Sequence, residues 1–343
     1  MTNHYRSKEK IHPEGKMDYN EFKNYLTEHV REYLPEEYQN KKIEIFTVEK
    51  VNRKLESFRF EGGPSKNDIE VSPTLYFEDL YEKYLKTDVY AVMNYVAESY
   101  ELTCCEDLDV SFFNREWKDN IVFCLVNTAQ NADFLAGRPH REFHDLSIIY
   151  RVIKTIEGGM IVSTVVTNEI MEDLNLKEED LYSLAVNNTK HLLPPKIVSM
   201  EFMIKNIMGD KGLDECAFDE ALDNLNKNGF HYAKPESDIW IITNSCGVNG
   251  AASILYEENL YNLAELIGKD LYILPSSIHE VIAVPVKDDI DADGLARIVY
   301  EANHEAVDEG DRLSNQVYYY SMSDHILRMA TNVAKPLCDT IKN

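Results

Sequence analysis

The chain has 343 residues, 44% of them hydrophobic, which suits about two domains and a buried core that needs no disulfide or metal staples. Its 60 acids against 35 bases give a formal charge of −25, which repels phosphate backbones and argues against the basic stripe that direct nucleic-acid binding needs. No run approaches the roughly 18 apolar residues of a membrane span, the longest strongly apolar runs being short ones such as Ile121–Val126.

Met1 to Lys16 is polar and charged without an apolar stretch of the secretory kind, and reads as a loose lead-in. Apolar residues Tyr19, Phe22, Leu26, Val30 and Tyr33 recur at helical spacing from Asp18 to Leu34, where Pro35 ends the pattern. Strands are expected over Ile43–Val51 and Leu55–Phe60 around Asn52, Arg53 and Lys54, with a third near Ile69–Phe77 after the Glu61–Pro64 break. Helices follow over Glu78–Leu85 and Asp88–Tyr100, the second with Thr87 as its expected cap and Val89, Val92, Met93 and Val96 on one face.

Ile121–Val126 reads as a buried-type strand. Leu146–Ile156 and Met160–Thr167 read as a hairpin about Glu157, Gly158 and Gly159, whose glycines permit positive φ. The second half alternates a helix over Lys177–Leu192, a strand over Ile197–Met203, a helix over Asp214–Asn226 and a strand over Asp238–Thr243. Asn259–Ile267 is a helix closed by Gly268, Leu271–Leu274 and Val281–Val286 are strands, Gly294–Val307 is a helix and Gln316–Tyr320 a late strand. The expected fold class is α+β, with mixed, largely antiparallel sheets covered by helices in two lobes, 17–170 and 171–343.

Several separated segments carry a resemblance: Ser72–Tyr76, Pro139–Phe143, Leu181–Pro195, Leu271–Glu280 and Asn315–Tyr320. Together they resemble an uncharacterised bacterial family, domain of unknown function fifty-six eighty-eight, across most of the chain. The resemblance implies a shared fold and assigns no activity, cofactor or catalytic residue.

Four groups of residues are candidates for chemistry. Asp289, Asp291, Asp293 and Gly294 match the opening of a calcium loop, in which alternate carboxylates face one cation. The closing bidentate Glu is missing, since that position is Tyr300 with Glu301 one residue late, so the segment reads as an acidic turn feeding a helix N-terminus, and calcium is the alternative. Asn224, Asn226, Asn228 and Gly229 repeat the spacing without charge. His140 and His144, with Glu142 and Asp145, offer a metal pair or a carboxylate-oriented base if they share a helix face, but Pro139 and the apolar run after Asp145 keep any helix short.

Ser276, Ser277, His279 and Glu280 place a nucleophile and a base close in sequence between two strands, without the GxSxG elbow of a hydrolase. Pro139–Leu146 and Pro275–Val281 share an order of Pro, spacer, His, acid and apolar strand. Six scattered cysteines lack a CxxC pair, adjacent Cys104 and Cys105 sit among acids that raise a thiol pKa, and Gly250–Ser253 lacks the glycine pattern of a phosphate loop. With no complete active-site motif, the expected function is a noncatalytic cytoplasmic binding or regulatory protein with a protein partner and no cofactor. The alternatives are a hydrolase using His140, His144 and Asp145 or His279 and Glu280 between the lobes, and an acidic nucleic-acid mimic.

Overall fold

A computed structural model describes residues 16–61, 65–66, 69–70, 73, 75–105, 115–157, 160–203 and 238–332. The expected helix over Asp214–Asn226, the asparagine alternation at 224–229 and the glycines at 158–159 lie outside these residues, as do the side chains of Cys104 and Cys105. The chain divides into two compact units, residues 1–50 with 54–109, and residues 51–53 with 110–343.

In unit 1, Asp18 starts α1 (Tyr19–His29) with a reciprocal capping box: its carboxylate accepts from the Glu21 backbone, and Glu21 accepts from the Asp18 N–H. The helix tightens into a 3-10 turn over Val30–Tyr33 before Pro35. Strands β1 (Ile43–Lys50) and β2 (Arg53–Phe60) make a sheet with the short β5 (Leu75–Tyr76), and β3 (Ser65–Lys66) pairs with β4 (Ile69–Glu70). The expected third strand is therefore two short pieces in different sheets.

Helices α2 (Phe77–Lys86) and α3 (Val89–Cys105) cover this sheet, and Phe22, Leu26, Phe58, Phe77, Val92, Met93 and Val96 form a buried cluster. Each such side chain removed from water contributes about 1.5–3 kcal/mol. Thr87 is the C-cap of α2 rather than the cap of α3: its N–H donates to the Lys83 carbonyl, and Asp88 accepts from the Ala91 N–H at 2.8 Å. Aspartate prevails because its carboxylate also complements the helix dipole.

Among the described residues unit 2 holds two sheets. In the first, the long β8 (Leu146–Glu157) pairs antiparallel with β6 (Ile121–Asn127), β7 (His140–Phe143) and β9 (Met160–Val165). The second runs β10 (Pro195–Ser199), β11 (Trp240–Asn244), β13 (Val281–Pro285), β12 (Leu271–Leu274), β14 (Tyr318–Ser321) and β15 (Ile326–Met329), each antiparallel to its neighbour. The fold is α+β.

Strand periodicity distributes the core. Leu146, Ile148, Tyr150 and Val152 of β8 enter one cluster with Leu271, Ile273, Val281, Ala283, Tyr318 and Tyr320 of the second sheet, while Ile149 and Ile153 face other clusters. Every residue from Ile121 to Val126 is buried, as a strand covered on both faces requires. Helices α6 (Glu178–Leu192) and α7 (Glu257–Ile267) add Leu181, Ala185, Leu260 and Leu263 to the main cluster, and α7 stops at Gly268 with φ +74°. The other face of the second sheet packs Leu274 and Val284 against Leu295, Ala296 and Val299 of α8 (Ala292–Glu305). Unit 2 also holds the short helices α4 (Ala132–Ala136) and α5 (Asn168–Asp173). Among the described residues no helix is long and apolar enough to cross a membrane.

Candidate functional site

Both His–acid segments fall within unit 2. The first is a β-hairpin rather than a helix. His140 lies in β7, opposite Ile149, and the Phe143–Leu146 pair closes a two-residue turn made of His144 and Asp145. His144 takes the left-handed conformation, φ +58°, that such turns demand. The two imidazoles therefore do not share a helix face. His140 is exposed with Nδ1 2.8 Å from the Arg138 carbonyl, so Nδ1 carries the hydrogen. The His144 ring packs against Phe143 and Tyr318, with centroids 4.8 and 5.2 Å away. Glu142 pairs with Ser147 across the same ladder.

Asp145 points inward. One carboxylate oxygen accepts the Ser314 hydroxyl at 2.6 Å, the other accepts the Tyr318 hydroxyl, and its backbone carbonyl accepts the Thr128 N–H at 3.0 Å. Tyr318 is fully buried, and its pKa is driven well above the phenol range first by burial and then by the Asp145 charge. The phenol thus stays a donor, and the carboxylate is spent on it.

The second segment is a loop between β12 and β13 that pairs with residues 311–314. Ile278 N–H donates to Asp311, Leu313 N–H to Ser276 and Ser314 N–H to Pro275, at 2.8 to 2.9 Å, while Ser277 bridges Arg312. Ser277 is buried and accepts the His279 backbone N–H at 3.0 Å. His279 Nδ1 lies 3.2 Å from the Asn249 N–H, which can only donate, so Nδ1 accepts. Nε2 then carries the hydrogen and faces the Asp311 carboxylate at 3.3 Å. Among the described residues neither Ser276 nor Ser277 bonds an imidazole, so no nucleophile–base pair forms there. Glu280 is half-buried at the entry to β13.

Glycine is required beside His279. A Cβ on Gly250 would come within 2.2 Å of Thr243 Oγ1 and 2.5 Å of the His279 carbonyl oxygen, so the Gly250–Leu255 turn is packed onto this loop.

The two segments meet the same stretch of chain, Asp311–Tyr318, and polar side chains from elsewhere in unit 2 hold it too. Asn127 Nδ2 donates to the Leu313 carbonyl at 3.0 Å, Asn52 Nδ2 to Arg312 at 2.6 Å, and Asn303 Nδ2 to Ser314 at 3.0 Å. The buried Asn303 Oδ1 has no protein partner among the described residues. This arrangement fixes an irregular strap by satisfying its backbone groups.

Sequence reasoning missed the tyrosine partners. Tyr318, Tyr319 and Tyr320 are consecutive in β14, and their hydroxyls donate to Asp145, Asp270 and Glu257 respectively. The bond to Asp270 pushes Tyr319 up to about 12, while burial is the main cause raising Tyr320. Tyr150 does the same with Glu178, which also takes two bonds from Arg141. The available signal was a run of tyrosines in a buried strand of an acid-rich chain, because buried phenols need acceptors.

In the acidic turn, Asp291 is the N-cap of α8, its Oδ1 accepting the Gly294 N–H at 2.7 Å, and Asp293 sits in the first helical turn. Asp289 lines a shallow surface depression with Lys269, Asp270 and Lys287. Among the described residues no three His, Cys, Asp or Glu side chains are grouped as a metal site. Cys124 is buried, which lifts its thiol to about 11, and Cys246 is half-buried.

Residues 19–322 match the model of a family of unknown function, DUF5688. No curated protein and no solved structure matches the chain.

Proposed function

We propose, from the premise that the chain belongs to the DUF5688 family, that it is a noncatalytic binding or regulatory protein acting on a protein partner in the bacterial cytoplasm. One observation supports this reading above others: two of the residues best placed in sequence for chemistry, Asp145 and His279, are spent on internal hydrogen bonds. Asp145 serves the hydroxyls of Ser314 and Tyr318, and both nitrogens of His279 are engaged, by Asn249 and Asp311. A general base needs a nitrogen or oxygen open to substrate, and each ring nitrogen of His279 and each carboxylate oxygen of Asp145 already has a partner. Six cysteines without a paired motif fit a reducing compartment.

The full-length protein, assayed against chromogenic esters, phosphomonoesters, glycosides and peptides, is expected to turn over none of them above a heat-denatured control. Turnover that disappears in Asp145→Asn or His279→Gln, with folding retained, would overturn the reading. Affinity capture from native lysate is expected to recover one partner reproducibly, and repeated recovery of none counts against it.

The hydrolase reading keeps one supporting observation. His140 is exposed with Nδ1 fixed on a carbonyl, the arrangement that leaves Nε2 to face a substrate. Loss of turnover in His140→Ala alone would move the assignment there.

A further inference from the structure

Unit 1 contains a cleft that the His–acid residues do not touch. It runs along β5, α2 and α3, is lined by Leu75, Tyr76, Leu80, Lys83 and Tyr95, and has a volume of about 560 Å³. That falls within the roughly 300–1,000 Å³ of small-molecule sites. Leu75 and Leu80 are buried and supply an apolar base, while Tyr76 and Tyr95 reach toward solvent.

The charges around it are disposed unusually for a chain of −25. Lys86 pairs with Glu82 at 3.6 Å, one turn back on α2. The Lys83 ammonium instead sits 4.6 Å from the centre of the Tyr95 ring, and Lys50, just outside the lining, sits 5.2 Å from the centre of Tyr76. Among the described residues no carboxylate lies within ion-pair distance of Lys83 or Lys50. A cation resting on a ring face is held in place without being neutralised, so its charge remains available to an anion. Asp79 and the Lys86-paired Glu82 also line the cleft and limit how much negative charge it accepts.

We propose that this cleft binds a small amphipathic monoanion, with an apolar or aromatic body on Leu75 and Leu80 between the two tyrosines and a single carboxylate at Lys83. The site is independent of the reading given to Asp145 and His279, and its failure leaves that reading untouched. A dianion is disfavoured by Asp79 and Glu82, and an amine would face Lys83 as a like charge.

The test is a fluorine-observed NMR titration of the full chain with three probes of one shape: 4-(4-fluorophenyl)butanoate, its primary amide and the corresponding amine. The carboxylate is expected to bind saturably and at least about tenfold more tightly than either analogue. Lys83→Met should erase that preference at an unchanged thermal midpoint, and Tyr95→Ala should weaken all three. No saturable carboxylate binding up to about 10 mM, equal binding of the three probes, or a preference that survives Lys83→Met would each overturn the proposal.

Discussion

Asp145 and the His279 loop grip the same strap, Asp311–Tyr318, by different chemistry. Asp145 is a charged acceptor turned into the interior, meeting a buried phenol and a buried serine. His279 is a half-exposed neutral ring that accepts from Asn249 with one nitrogen and donates to Asp311 with the other. The difference is in what is left behind when each is removed. Losing Asp145 strands two donors away from water, whereas the partners of His279 can turn to solvent.

Asp145→Ala is therefore expected to cost the most, about 3 kcal/mol from two buried donors left unsatisfied. Urea unfolding of the variant against the parent measures it, with Asp145→Asn intermediate because the amide keeps one acceptor. His279→Ala should cost about 1 kcal/mol, the net worth of modest bonds at a wetter site. If the two variants lose equal stability, the contrast between the grips fails.

The tyrosines sharpen the comparison through pH. Tyr318 and Tyr320 are held above the ordinary phenol value of about 10 chiefly by burial, and Tyr319 is raised to about 12 by its bond to Asp270. A folded pKa above the unfolded one gives stability that is complete below about pH 10 and is lost as pH rises through the folded value. Stability should thus hold steady from neutral pH to about 10 and then fall, and Tyr318→Phe should make that alkaline fall shallower. Equilibrium unfolding across alkaline pH checks both.

Asp291→Ala is expected to have an effect of about 1 kcal/mol, the loss of one helix cap, with calcium making no difference to parent or variant. A calcium-dependent rise in the thermal midpoint of the parent would return Asp289, Asp291 and Asp293 to the reading of a cation loop.

Why sequence could reach some of these features follows from the range of the interactions. The helix at Phe22 and Leu26, the doubly covered strand Ile121–Val126 and the stop at Gly268 depend on residues a few positions apart, and periodicity and backbone freedom report on them. Strands β7 and β15 were missed because each is four residues long and alternates exposed with half-buried side chains, leaving no apolar run. The shared order of Pro, His and acid at 139–146 and 275–281 also misleads. In the first the acid beside the histidine is the structural acceptor, and in the second the working carboxylate is Asp311, not the neighbouring Glu280. The tyrosine acceptors stand 173, 49 and 63 residues from their donors, and only the assembled sheet brings them together.

The claim that Asp145 is a structural grip is tested most directly by native-state hydrogen exchange on the parent and on Asp145→Ala. The amides of Leu313 and Ser314, which donate to Ser276 and Pro275, are expected to exchange faster in the variant while those of β11 and β13 keep their protection. Unchanged protection at Leu313 and Ser314 in a folded Asp145→Ala protein would contradict the account.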